Sequence, residues 1–218
     1  MSDSPARCSR KQVGINALVF AVLACAPISA QAQWSVGGSL GVPDADIDVA
    51  VYDPPNTTAD DSSPISWKLF VGYGFSANLG LEAGYVALGS EYQLFNALGY
   101  GESVTFEPSA GFITVLGRVN VHDRVQLLAR LGAAYWTTDV DYAEGAFRSS
   151  GSDGDVDPLL GFGFEFTPDG RFTIRFEWEQ FQNVGDDASV ARPAAASSRI
   201  ELGGHDISVI GLGVNVRF

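Results

Sequence analysis

Ser66-Trp67-Lys68-Leu69-Phe70-Val71-Gly72-Tyr73-Gly74-Phe75 breaks at Ser76-Ala77-Asn78 and resumes as Leu79-Gly80-Leu81-Glu82-Ala83-Gly84-Tyr85-Val86-Ala87-Leu88. Successive side chains of a strand point to opposite faces, so a period of two sorts each arm into two sets. The first arm puts Trp67, Leu69, Val71, Tyr73 and Phe75 together, against Lys68, Phe70, Gly72 and Gly74. The second opposes Leu79, Leu81, Ala83, Tyr85 and Ala87 to Gly80, Glu82, Gly84, Val86 and Leu88. A soluble barrel turns its apolar face inward. A continuous apolar face opposite glycine and charge is the reverse arrangement, and lipid on the outside explains it.

The same alternation recurs in eight segments, 34–42, 66–75, 79–88, 111–121, 125–136, 159–167, 171–181 and 205–218. Most run about 9 to 11 residues or slightly longer, the length a tilted strand needs to cross a hydrocarbon core. Three connections are tight: Ser76-Ala77-Asn78, His122-Asp123-Arg124 and Pro168-Asp169-Gly170. Four are long, 43–65, 89–110, 137–158 and 182–204, and rich in Asp, Ser, Gly or Pro. Strict alternation puts every long loop at one end of an up-and-down meander, with short turns at the other. Unpaired backbone groups in hydrocarbon each cost several kcal/mol, so the sheet must close, and an even strand number permits antiparallel closure. The expected fold is all-β, an eight-stranded antiparallel up-and-down transmembrane β-barrel over residues 33–218.

Residues 1–32 read as a signal peptide, with Arg7, Arg10 and Lys11 as basic region, Val13 to Ala24 as apolar core, and Ala30-Gln31-Ala32 as cleavage site. The mature chain is then expected to begin at Gln33. A competing reading makes Cys25 a lipid-modified first residue, but Leu23 fits the required pattern poorly. Cys8 and Cys25 both fall in the removed segment, which excludes disulfides, thiolate catalysis and cysteine metal sites from the mature chain. Ten basic groups then face 25 acidic ones, a net charge of −15, and a nucleic-acid partner is excluded.

Two stretches carry a resemblance. They are Trp67 to Phe75 running through its turn into Leu79 to Tyr85, and the terminal Ser208-Val209-Ile210-Gly211-Leu212-Gly213-Val214-Asn215-Val216-Arg217-Phe218. They resemble the OmpA-like outer-membrane β-barrel family, over essentially the whole mature chain. The resemblance implies the outer membrane of a Gram-negative bacterium, with outer-membrane lipid and lipopolysaccharide as surroundings. It also implies that the barrel-assembly machinery reads Phe218 together with Val216, Val214, Leu212 and Ile210. Larger members carry a periplasmic domain that holds peptidoglycan; this sequence stops at the eighth strand, so that activity is not expected.

The inferred register points Lys68, Arg118, Arg130 and Arg175 inward with Glu82, Glu165, Glu177 and Glu179. Buried charges need partners, and an eight-stranded interior is just wide enough for side chains to fill, so ion pairs are expected to plug the lumen. The competing reading is a gated narrow pore in which a pair such as Glu82–Arg118 swings apart.

The long loops hold dense acid, Asp44, Asp46, Asp48, Asp53, Asp60 and Asp61 in the first and Asp139, Asp141, Glu144, Asp153, Asp155 and Asp157 in the third. Carboxylates at alternate positions could coordinate Ca²⁺ or the divalent ions that bridge lipopolysaccharide, and the competing reading is a solvated loop surface; neither run has the offsets of an EF-hand, so no metal or cofactor is assigned. His122 belongs to a short turn, and His205 cannot be oriented by Asp206 because adjacent strand residues face opposite ways; no catalytic residue is assigned. Tyr85, Tyr135, Trp67 and Trp178 should form one aromatic belt, and Phe75, Phe166, Phe172 and Phe218 the other. The expected role is structural or surface-interaction, as a monomer. The alternatives are a narrow porin-like conduit for small solutes and a lipid-modifying enzyme of the outer membrane.

Overall fold

The computed structural model describes residues 33–45, 57–59, 65–89, 91–97, 100–144, 147–185, 189–191, 199–201 and 205–218. The leading segment and much of the first and fourth long connections lie outside these residues. The strands are β1 (Gln33–Ala45), β2 (Thr57–Ala59), β3 (Ser66–Gly74), β4 (Leu79–Ala87), β5 (Glu91–Ala97), β6 (Tyr100–His122), β7 (Val125–Glu144), β8 (Phe147–Phe166), β9 (Phe172–Val184), β10 (Ser189–Ala191), β11 (Arg199–Glu201) and β12 (His205–Arg217). Eight of them close a ring in the order β1-β3-β4-β6-β7-β8-β9-β12, every pair antiparallel. β12 returns to β1 with Val36 opposite Val216 and Leu40 opposite Leu212. Closure removes both lipid-exposed edges, each otherwise a row of unsatisfied N–H and C=O groups.

The two faces separate as the alternation requires. On β9, Thr173, Arg175, Glu177 and Glu179 are buried while Phe172, Ile174 and Phe176 are exposed. Leu40, Leu69, Leu131, Phe162 and Leu212 are all more than half exposed on the outer surface. In water such a band would aggregate; in a bilayer it is the solvated surface.

Two of the four long connections depart from expectation. Residues 89–110 and 137–158 are not irregular loops: β5 and β6 make a hairpin, and β7 and β8 pair without a break out to Glu144 and Phe147. The reason is an inversion of the face pattern. Below Trp136 the large apolar residues Leu127, Leu131 and Tyr135 point out, and Arg130 points in with Leu128 and Ala134. Beyond it Thr138, Val140 and Tyr142 are buried, while Asp139 and Asp141 face outward and are exposed. β6 matches, with Phe106 buried and Glu107 exposed. The barrel has left lipid at that level and continues in water as an apolar-inside, acid-outside sheet. Eight residues of β7 beyond Trp136 carry it about 25 Å further at strand rise. β2 extends this outer sheet by pairing with β5, and β10 and β11 form a separate small hairpin.

At the opposite end the turns are held by side chains. Ser76 Oγ accepts the backbone N–H groups of Asn78 and Leu79, and Asp169 Oδ1 accepts those of Phe172 at 2.8 Å and Arg171 at 3.1 Å. Gly170 adopts φ +81°, which glycine tolerates without steric cost.

Candidate functional site: the charged lumen and its seal

The inward charges form one connected network. Lys68 Nζ donates to Glu177 at 3.1 Å and Glu179 at 2.7 Å. Arg130 donates to Glu177 and Glu179 and lies 3.0 Å from Glu82. Arg175 Nη1 reaches Glu82 at 2.7 Å, while its Nε and Nη2 hold one oxygen of Glu165 at 3.0 and 2.7 Å. Arg118 donates to the other oxygen of Glu165 at 3.0 Å. All eight inward charges named from the sequence therefore meet in the lumen. Each carboxylate accepts from at least one cation, the condition under which ionised groups are tolerated inside a protein.

Glycines in the barrel wall make the room. A Cβ on Gly161 would lie 2.8 Å from Arg130 Cγ, and one on Gly80 would lie 3.0 Å from Arg118 Nη1. The glycine-rich inner face seen in the sequence is thus the space the long side chains occupy.

The Glu82–Arg118 pair does not form. Glu82 stands opposite Thr114 on β6, whereas the amide of Arg118 bonds the carbonyl of Asn78, four residues before Glu82 in the turn that leads into β4. Four residues are about 13 Å of strand, too far for the two side chains to meet as neighbours. Glu82 pairs with Arg175 and Arg130 instead, and Arg118 with Glu165.

One member was missed. Arg217 Nη2 donates to Glu165 at 2.9 Å. The signal was present in the terminal stretch, because Phe218 and Val216 point out and the residue between them must point in.

The lumen also has an apolar layer toward the long-loop end. Leu88, Trp136, Leu159, Phe181, Val184 and Ile207 belong to one buried cluster that includes Phe70 and Phe112. Lys68 Nζ lies 5.5 Å from the Phe70 ring and 5.9 Å from that of Phe112, so charge network and apolar layer abut. Arg175 stacks on the Phe70 ring at 4.7 Å, a cation–π contact. Trp136 Nε1 donates to Asp157 at 2.7 Å, Asn183 Nδ2 donates to the same carboxylate at 3.0 Å, and the Asn183 amide reaches Asp206. Asn183 has φ 51°, a left-handed conformation that asparagine adopts more readily than most residues. This polar rim ties β7, β8, β9 and β12 together above the seal.

The remaining candidate residues are dispersed. His122 is exposed beside the Asp123-Arg124 turn, and His205 begins β12 where the register with β9 shifts. Of the acidic loop residues, Asp139, Asp141 and Asp155 are exposed on the outer sheet; Asp46, Asp48, Asp53, Asp60 and Asp61 lie outside the described residues. No group of three His, Cys, Asp or Glu positioned to hold a metal occurs among the described residues. Phe218 continues the outward row of β12, and its amide donates to the carbonyl of Trp34 at 2.8 Å, fastening the seam. At the aromatic belts Trp67 meets Tyr85 at 5.6 Å and Phe162 meets Trp178 at 5.0 Å. Toward the short turns Tyr73 lies 4.9 Å from Trp34 and 5.1 Å from Phe75.

Comparison with known proteins agrees with this architecture. A family model described as the OmpA-like transmembrane domain matches residues 29–218. Outer membrane protein A of Yersinia pseudotuberculosis serotype I (strain IP32953) is 26% identical over 194 residues, a match covering 85% of this chain and 48% of that protein. The chain thus spans about half the length of this curated relative. Among solved structures, Ail, the attachment invasion locus protein of Yersinia pestis, in complex with the heparin analogue sucrose octasulfate, superposes with a TM-score of 0.53 at 16% identity, covering 86% of this chain and 99% of Ail. The solid-state NMR structure of outer membrane protein AlkL in DMPC bilayers gives a TM-score of 0.52 at 11% identity, covering 89% of this chain and 94% of that one. At these identities the structural likeness establishes the fold.

Proposed function

The chain belongs to the OmpA-like transmembrane domain family, and on that premise we propose that it is a sealed outer-membrane barrel whose work, structural or surface-interactive, is done by its external sheet. The relative matched by sequence is an outer membrane protein, and the lipid-facing band of this chain fits that location. The observation that carries the reading is the filled lumen. Charge network and apolar layer follow one another along the barrel, with Arg175, Glu82, Leu159 and Phe181 each at most 1% exposed. A conduit needs a hydrated path, and opening one here would separate interlocked ion pairs as well as the apolar cluster.

What the barrel offers outward is the extension beyond Trp136, a hydrogen-bonded platform with Asp139, Asp141, Arg148 and Ser150 on its outer face. Its surroundings in this reading are lipid and lipopolysaccharide, its insertion depends on the barrel-assembly machinery, and it acts as a monomer. Export by cleavage after Ala32 and the lack of an enzymatic activity belong to the same proposal. His122 and His205 sit at opposite ends of the barrel, too far apart to act together. The test exchanges residues 139–152 for a short turn, keeping the membrane-spanning strands. Envelope or surface phenotypes of cells carrying the gene should be lost while the folded barrel persists on unboiled gels. Phenotypes that instead follow Arg130 or Glu177 substitutions, with the platform irrelevant, would favour a lumen function.

A further inference from the structure

Five cations, Lys68, Arg118, Arg130, Arg175 and Arg217, share the lumen with four carboxylates, Glu82, Glu165, Glu177 and Glu179. The surplus lies at the short-turn end. There Glu165 accepts four hydrogen bonds, two from Arg175 on one oxygen and one each from Arg118 and Arg217 on the other. A carboxylate offers about four lone-pair sites, so Glu165 is saturated. Arg118 and Arg217 each spend a single N–H on it, and a guanidinium carries about five. Their other N–H groups have no acceptor among the described residues.

Those donors line a cavity of about 60 Å³ together with Gln33, Ser35 and Ser76. Ser76 Oγ already accepts two backbone N–H groups, which leaves its own proton free to donate. No carboxylate lines the space. A buried water needs at least about 10–15 Å³ measured this way, so the cavity holds a few waters or one small polyatomic ion. Two guanidinium forks with the Ser35 and Ser76 hydroxyls around a space lined by no carboxylate favour a planar or tetrahedral oxyanion over a spherical ion, because each fork donates along two directions.

We propose that the cavity between Arg118 and Arg217 at the short-turn mouth of the barrel binds a single oxyanion of the phosphate class, which neutralises the unmatched lumen charge. The mouth faces the periplasmic side in this topology. The phosphate there is either free or carried on the headgroup of an inner-leaflet phospholipid.

The full-length mature chain, folded in phosphate-free maltoside micelles, is titrated with inorganic phosphate at constant ionic strength by calorimetry. The wild type should bind one equivalent saturably, with sulfate competing and chloride failing to compete. Arg118→Gln and Arg217→Gln should each weaken binding by about ten- to a hundredfold, the range of one lost hydrogen bond to a charged group. Arg124→Gln, in the neighbouring turn, should change nothing. If either lumen variant fails to fold, the arginine side-chain ¹⁵N resonances of the wild type give the same answer, with Arg118 and Arg217 shifting on phosphate addition and Arg124 and Arg171 unmoved. Repetition in phosphatidylglycerol nanodiscs distinguishes the sources. A phosphate response that vanishes there shows the site filled by headgroups, and one that persists shows a free ion. Absence of saturable binding in micelles, an equal response to chloride, or undiminished binding in both lumen variants overturns the proposal.

Discussion

Replacing Glu165 by Gln removes one negative charge from the point where three arginines meet, with almost no change of shape. Of the four hydrogen bonds lost or weakened, those from Arg118 and Arg217 come from side chains 10% and 21% exposed, which can turn toward water. The two from Arg175 come from a fully buried guanidinium that keeps only Glu82 at 2.7 Å and a longer contact with Glu177 at 3.7 Å. The new amide also points a donor at one of the guanidiniums. Breaking a buried pair costs about 3–5 kcal/mol, and the enclosed Arg175 places this variant in that range. That is about two to four decades in the folding equilibrium. Urea unfolding in lipid vesicles, followed by tryptophan fluorescence, measures it directly. Arg118→Ala serves as internal comparison, because a partly hydrated side chain that shares its carboxylate with two others should cost clearly less than the Glu165 change. A Glu165→Gln stability within about 1 kcal/mol of wild type would refute the reasoning, since exposed pairs are worth no more than that and the lumen would have to be wet.

Other consequences follow from the wall, the turn and the seam. Gly132→Ala should impair folding, because its Cβ would lie 2.0 Å from the Ile113 carbonyl and force the strands apart, while Gly117→Ala, whose nearest neighbour would be 3.9 Å away, should be accepted; the folded fraction on unboiled gels separates the two. The Asp169 carboxyl, outside the membrane, is held below its ordinary value of 3.8 first by the Phe172 amide and then by the Arg171 amide. A depressed acid contributes turn stability that is present above its unfolded value and lost as pH falls through the folded one. Amide exchange at Phe172 should therefore be protected above about pH 4 and lose that protection only at more acid values, whereas Asp169→Asn should abolish this pH dependence. Cysteines at Val36 and Val216, directly opposite across β1 and β12, should cross-link in the membrane, and deleting Phe218 should hinder assembly more than an equal deletion at residues 139–152.

The membrane-spanning barrel was legible because lipid imposes a simple rule on it, apolar out and small or charged in, so that residues such as Leu69 and Lys68 declare their faces one by one. The platform beyond Trp136 was not, because the rule reverses there. Thr138, Val140 and Tyr142 against Asp139 and Asp141 is a strand pattern of the soluble kind, and its acid content reads as loop when composition is weighed before period. Eight members of the lumen network follow from alternation alone, but their partners do not. Pairing depends on stagger between strands, which put Arg118 level with Asn78 rather than Glu82, and no single strand's sequence contains that offset. Arg217 is the inward residue beside the outward aromatic Phe218, and its pairing with Glu165 depends on the same stagger.

The most direct measurement of the sealed-barrel account is single-channel recording on the purified, folded full-length mature chain in planar bilayers. Arg175, Glu82, Leu159 and Phe181 fill the lumen in succession, so the wild type should insert without producing conductance steps at any applied voltage short of rupture. Discrete, reproducible steps from folded wild-type protein, altered by Arg130→Ala or Phe181→Ala, would contradict the account and make the lumen itself the functional site.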